Sequence, residues 1–91
     1  MVIGLTKTAA LEYAKNGIRI NAVCPGLIRT PMIERQIKGD SDMEARWTSL
    51  EPVGRMGTPD EVASAVLWLC SDSASYVTGA AVQIDGGWLA Q

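Results

Sequence analysis

Few residues in this chain can do chemistry, and the missing types narrow the field first. There is no histidine, which removes a Ser-His-Asp triad, a Cys-His pair and a His-ligated zinc site. Cys24 and Cys70 have no Cys-x-x-Cys spacing and sit among apolar neighbours, the pattern of small buried hydrophobes in a reducing compartment rather than of a disulfide. Asp60 and Glu61 invite a catalytic reading as paired carboxylates. They follow Thr58-Pro59 at a helix start, however, where negative charge meets the positive end of the helix dipole, so capping is the expected role. Asp85-Gly86-Gly87 is read as a strand stop beside a subunit contact, and Asn21 as a structural hydrogen-bonding residue. The chemically loaded stretch left is Pro25-Gly26-Leu27-Ile28-Arg29-Thr30. A strand ending in Pro-Gly leaves the sheet at its carboxyl edge, where open α/β sheets bind ligands. The same residues also read as strand, turn and helix, with Thr30 as N-cap and Pro31 at the first helical position.

The elements that must position this stretch follow from periodicity. Val2, Leu5, Ala9 and Tyr13 recur at helical spacing, predicting a helix over 2–15, closed by Lys15 and the Asn16-Gly17 turn. No capping residue precedes it, as though a helix had been entered midway. Ile18, Ile20, Ala22 and Cys24 alternate as one face of a strand over 18–24. Residues 31–57 are mixed: Met32, Ile33, Gln36 and Ile37 mark one short helix closed by Lys38-Gly39, and Asp40-Ser41-Asp42 offers a cap for a second that carries Met43 and Trp47. Thr58-Pro59-Asp60-Glu61 opens a helix over 59–71 that is apolar on nearly every side, and 80–85 alternates as a second strand. The order α-β-α-α-α-β, with two strands and three or four helices, is α/β in a single unit over 1–91.

Composition bounds the rest. Hydrophobic residues make up 47% and charged residues 20%, a globular balance. Eight Lys and Arg against ten Asp and Glu give a net charge of −2, which argues against a nucleic-acid partner. The longest apolar run, Ala63 to Cys70, is too short for a membrane span. With no basic, apolar leader at the start, a cytoplasmic location is expected.

Five segments together resemble the C-terminal part of short-chain dehydrogenases/reductases: Gly4 to Glu12, Gly17 to Asn21, Cys24 to Met32, Gly54 to Ala63, and Tyr76-Val77-Thr78-Gly79 with Asp85-Gly86-Gly87. The resemblance covers essentially the whole chain. It implies the C-terminal part of a Rossmann-type doubly wound parallel sheet, incomplete as a stand-alone fold, and NAD or NADP as cofactor of the complete enzyme. It implies a cofactor role for Pro25, Gly26, Ile28 and Thr30, with the Ile28 backbone on the nicotinamide carboxamide and the Thr30 hydroxyl on the carboxamide or pyrophosphate. Residues 31–57 resemble the family's substrate lid, with Met32, Ile33, Ile37 and Trp47 either lining a pocket or filling a small core. The family's helix and last strand, 59–71 and 80–85 here, resemble elements that pair subunits about a two-fold axis, with Trp68 and Leu69 at the contact and Trp88 at its rim.

The departures are equally specific. The family's glycine-rich phosphate turn, catalytic Ser and Tyr-x-x-x-Lys pair do not occur in these residues; Tyr13 has Gly17 four positions on. No catalytic residue and no metal ligand is therefore assigned. The expectation is a portion of an NAD(P)-dependent alcohol/ketone oxidoreductase that binds no cofactor tightly alone. The alternative is a truncated, non-catalytic module that self-associates or docks on a full-length relative.

Overall fold

The computed structural model describes residues 1–91. Helix α1 (Val2–Tyr13) continues into one 3₁₀ turn, Ala14–Asn16, and stops at Gly17, whose φ of 74° is the left-handed cap that glycine adopts without strain. Strand β1 (Ala22–Pro25) follows, then α2 (Pro31–Ile37), α3 (Ser41–Ser49), α4 (Pro59–Leu69) and β2 (Ala81–Ile84). Short 3₁₀ turns at Asp72–Ala74 and Trp88–Ala90 flank β2. The two strands run parallel, with Ala22 opposite Ala81 and Pro25 opposite Ile84. The α/β class and parallel sheet are as expected.

The first strand is shorter than its alternation predicts. Ile18 to Asn21 make no ladder with β2 because Thr78 and the Asn21 side chain take the partners a ladder would use. The Ile20 N–H donates to Thr78 Oγ1 at 3.2 Å and its carbonyl accepts from Gly79 N at 2.8 Å. Asn21 donates from Nδ2 to the Val77 carbonyl and accepts at Oδ1 from Ala80 N. This side-chain bridge is the structural role expected of Asn21, and pairing begins only at Ala22.

The helix starts behave as their sequences require. The Asp40 carboxylate accepts from the backbone N–H groups of Asp42 and Met43, and Thr58 and Glu61 form a reciprocal capping box. Helix α4 ends at Leu69, two residues before its expected limit. Arg19, from the far side of the sequence, donates to the carbonyls of Leu69 (2.7 Å), Ser71 (3.2 Å) and Val77 (3.3 Å). A guanidinium there satisfies carbonyls that a helix end leaves open.

The core is small. Only Thr6, Ala10, Ala22, Ile37, Met56, Leu69 and Ala74 are buried. A compact monomer of 9.7 kDa exposes about 5,100 Å², whereas this chain exposes 6473 Å². Its radius of gyration, 15.9 Å, likewise exceeds the roughly 12 Å of a compact chain this long. Two expectations are corrected here. Leu69 is buried within the chain, so on α4 the exposed large apolar residues are Val66, Leu67 and Trp68; α4 packs one face on the sheet and turns its neighbouring residues outward. Ile37 is core, at 3% exposure, rather than pocket wall.

Candidate functional site

The site forms where β1 leaves the sheet. Gly26 follows the last ladder position and donates from its N–H to the Ile84 carbonyl at 2.9 Å. A Cβ at this position would lie 2.8 Å from both Cα and Cβ of Asp85, so the close approach of the strand ends needs glycine. Beyond it, Ile28 pairs with Gly57 in an isolated parallel bridge: Gly57 N donates to the Leu27 carbonyl and Arg29 N to the Gly57 carbonyl, both at 2.9 Å. A bridge of this kind uses the groups of Leu27 and Arg29 and leaves those of Ile28 pointing away from Gly57. The Ile28 N–H and C=O accordingly have no hydrogen-bond partner in the chain.

Ile28 is one of eight residues that line a cleft of about 420 Å³, with Pro25, Gly26, Thr30, Met32, Ile33, Pro59 and Val62. All four residues assigned to cofactor contact thus share one wall system, together with two of the four assigned to the substrate side. Ile37 and Trp47 do not line it: Ile37 is buried and Trp47 stands half-buried on α3. Pro59 and Val62 line the cleft but read from sequence only as a helix start and an apolar stripe; nothing local marks them as pocket residues.

Thr30 caps α2, its Oγ1 accepting from Ile33 N at 3.3 Å. A hydroxyl also carries one donor hydrogen, and none of the chain's hydrogen bonds uses that of Thr30. The capping and ligand-binding readings of this residue are therefore compatible. An unpaired N–H, an unpaired C=O and a hydroxyl donor beside apolar walls suit a planar amide, which offers one acceptor and one donor face.

Two arginines in neighbouring segments, neither of which lines the cleft, are held in ion pairs. Arg29 bonds Glu34 on α2 at 2.6 Å and also Glu44 on α3, and these two carboxylates, Glu44 foremost, hold its guanidinium above its ordinary pKa. Arg55 grips Glu61 through both nitrogens, at 2.8 and 2.9 Å. That pairing, followed by the bond from Thr58 N, lowers the Glu61 carboxyl to about 2. Both carboxylates of the Asp60-Glu61 pair belong to the first turn of α4, and Glu61 is engaged in capping as expected. Asp85 accepts from Gly87 N and Leu89 N, closing the turn after β2. No cluster of three or more His, Cys, Asp or Glu residues is placed to hold a metal ion, and no helix is long and apolar enough to cross a membrane.

Comparison with known proteins places this arrangement. The family model described as enoyl-(acyl carrier protein) reductase matches residues 1–89. The 2,5-dichloro-2,5-cyclohexadiene-1,4-diol dehydrogenase of Sphingobium indicum is 48% identical over 89 residues, which are 98% of this chain and 36% of that protein. Among solved structures, ElxO with NADP bound superposes with a TM-score of 0.91 at 41% identity, covering 99% of this chain and 36% of that one. 4-Hydroxyisoleucine dehydrogenase complexed with NADH gives 0.89 at 36% identity, covering 99% and 37%. The chain thus spans little more than a third of the length of the relatives it matches.

Proposed function

Because this chain belongs to the short-chain dehydrogenase/reductase family, its two strands being part of a Rossmann-type parallel sheet, we propose that it supplies the nicotinamide-side cofactor wall and the substrate-covering segment of an NAD(P)-dependent alcohol/ketone oxidoreductase. The observation that carries this reading is the unpaired N–H and C=O of Ile28, a residue that lines the cleft. Together they match the carboxamide of a nicotinamide ring, and the Thr30 hydroxyl has a hydrogen left to donate. When bound, a nicotinamide cofactor supplies hydride exchange with an alcohol or carbonyl carbon. The part of this chain is to bind and orient. Ile28 and Thr30 would fix the rotation of the carboxamide, Pro25 and Gly26 would let the backbone approach closely, and Met32, Ile33, Pro59 and Val62 would exclude water from one side of the ring. The Ser and Tyr-x-x-x-Lys set that handles the proton in this family is not among these residues, so the chain's share is positioning rather than acid–base chemistry.

The test is a titration of ¹⁵N-labelled chain with NADH and NADPH, alone and mixed with the N-terminal portion of a relative. The Ile28 and Thr30 amide resonances should shift, weakly alone and at lower cofactor concentration in the mixture, and Thr30→Ala should weaken the effect. Shifts that spare both residues in both settings would overturn the reading.

A second reading rests on a separate observation, the excess surface described above. Leu5, Leu11, Leu67 and Tyr76 are each more than two-thirds exposed, Trp68 and Trp88 nearly half, and the two-stranded sheet has both outer edges free. Such a chain serves as a module that self-associates, through α4 and β2 about a two-fold axis, or docks on a longer relative. Trp68 with Leu67 would lie at that contact and Trp88 at its rim.

A further inference from the structure

The cleft has one wall that is poorly anchored. Helices α2 and α3 form a hairpin, turning at Lys38 and Gly39, both at positive φ (50° and 76°). They pack chiefly on each other, and Ile37 is their only buried residue. Met32 and Ile33, on the first of these helices, face the cleft. The one side chain from outside the hairpin that holds both helices is Arg29, through Glu34 and Glu44. Arg29 itself sits in the backbone segment that Gly57 pins, next to the unpaired groups of Ile28. Beyond the chain itself and the Thr30 cap on α2, this backbone and the hairpin are thus joined by one guanidinium, whose planar fork can serve two carboxylates at once.

We propose that Arg29 is a positioning residue that sets the α2–α3 hairpin over the cleft, coupling the backbone at Ile28 to the helix carrying Met32 and Ile33. The proposal rests on the cofactor reading only for its consequence, since the mechanical link concerns this chain alone. With the grip broken, the hairpin keeps its internal packing and its caps but loses its fixed angle to the cleft. Arg55 offers an internal control. It makes a double-bonded pair with Glu61 that makes no hydrogen bond to the hairpin, its side chain more exposed than that of Arg29.

Amide hydrogen exchange by NMR on the 91-residue chain tests this. Arg29→Met should speed exchange over residues 32–49 about tenfold while leaving α4 unchanged. Glu44→Gln should give a smaller rise, and Arg55→Met none in the hairpin. Exchanging all three charges, with Arg29→Glu, Glu34→Arg and Glu44→Arg together, should recover most of the wild-type protection, which a merely space-filling role would not allow. Four results would overturn the proposal: an unprotected hairpin in the wild-type chain, no response to Arg29→Met, loosening of α4 to the same degree, or no recovery on charge exchange. Failure of the cofactor reading is visible separately, as Ile28 and Thr30 amides that ignore NAD(P)H while the hairpin still responds to Arg29→Met.

Discussion

Two glycine-to-alanine changes in this chain should move stability in opposite directions, and the structure gives the reason for each. At Gly26 the new Cβ falls 2.8 Å from Cα and Cβ of Asp85. Carbon atoms in contact sit about 3.5–4.0 Å apart, so the strand ends must part by somewhat under an ångström or more. Both colliding atoms lie on or next to the backbone and cannot swing aside as the tip of a long side chain would. Parting the strands also stretches the 2.9 Å bond from Gly26 N to the Ile84 carbonyl. Overpacking of this kind costs about 1–3 kcal/mol, and a weakened backbone bond adds up to about 1 kcal/mol. A loss near 2 kcal/mol is expected, roughly a thirtyfold drop in the folded-to-unfolded ratio. At Gly4, inside α1, an added Cβ meets nothing within 4 Å, so alanine should stabilise by about 0.5–1 kcal/mol through helix propensity and a less disordered unfolded chain. Urea unfolding of both variants at matched protein concentration reads the difference. Gly26→Ala within about 0.5 kcal/mol of wild type, the range of an ordinary surface change, would refute the close-approach argument.

Other outcomes follow from the same structure. The Glu61 carboxyl is held at about 2, below its ordinary 4.5, so its pairing adds stability that is fully present above about pH 5 and lost as pH falls toward 2. Glu61→Gln should flatten that part of an acid-unfolding profile; an unchanged profile would show that the pair contributes nothing. If self-association covers the exposed face of α4, the midpoint of thermal unfolding should rise with protein concentration and Trp68→Glu should abolish order; a concentration-independent melt from a sedimenting monomer would refute this. The pure chain should show no oxidation or reduction of NAD(P)(H) with simple alcohols or ketones, because the Ser and Tyr-x-x-x-Lys set that gives this family its acid–base assistance, commonly worth about 10²–10⁴-fold, is not among these residues. Measurable turnover would overturn the positioning-only reading.

What the sequence by itself determined is local. The caps of Thr30 and Thr58, a cap within Asp40-Ser41-Asp42, the left-handed glycine at Gly17, the Lys38-Gly39 turn and the α/β order were all legible, because each is decided by residues within a few positions of one another. The stretch from Pro25 was also legible as the point where the chain leaves the sheet, since a strand that ends in Pro-Gly must do so there. Only the tertiary structure decided which of the many apolar residues face inward. Leu69 and Ile37 are buried while Leu67 and Trp68, on the same helix as Leu69, are not. On a helix apolar all round, periodicity offers no choice of side, and the packed sheet makes it. The long-range polar partners were beyond reach for a related reason. Arg19 capping α4, Asn21 replacing ladder bonds and Arg29 gripping two helices each join atoms far apart along the chain. The spacing of charges in a sequence does not say which of them meet, because long side chains reach whatever carbonyl or carboxylate the folded backbone brings near. Even Gly26 looked like turn chemistry. The structure shows instead that glycine is needed there because another strand's backbone occupies the space a side chain would fill.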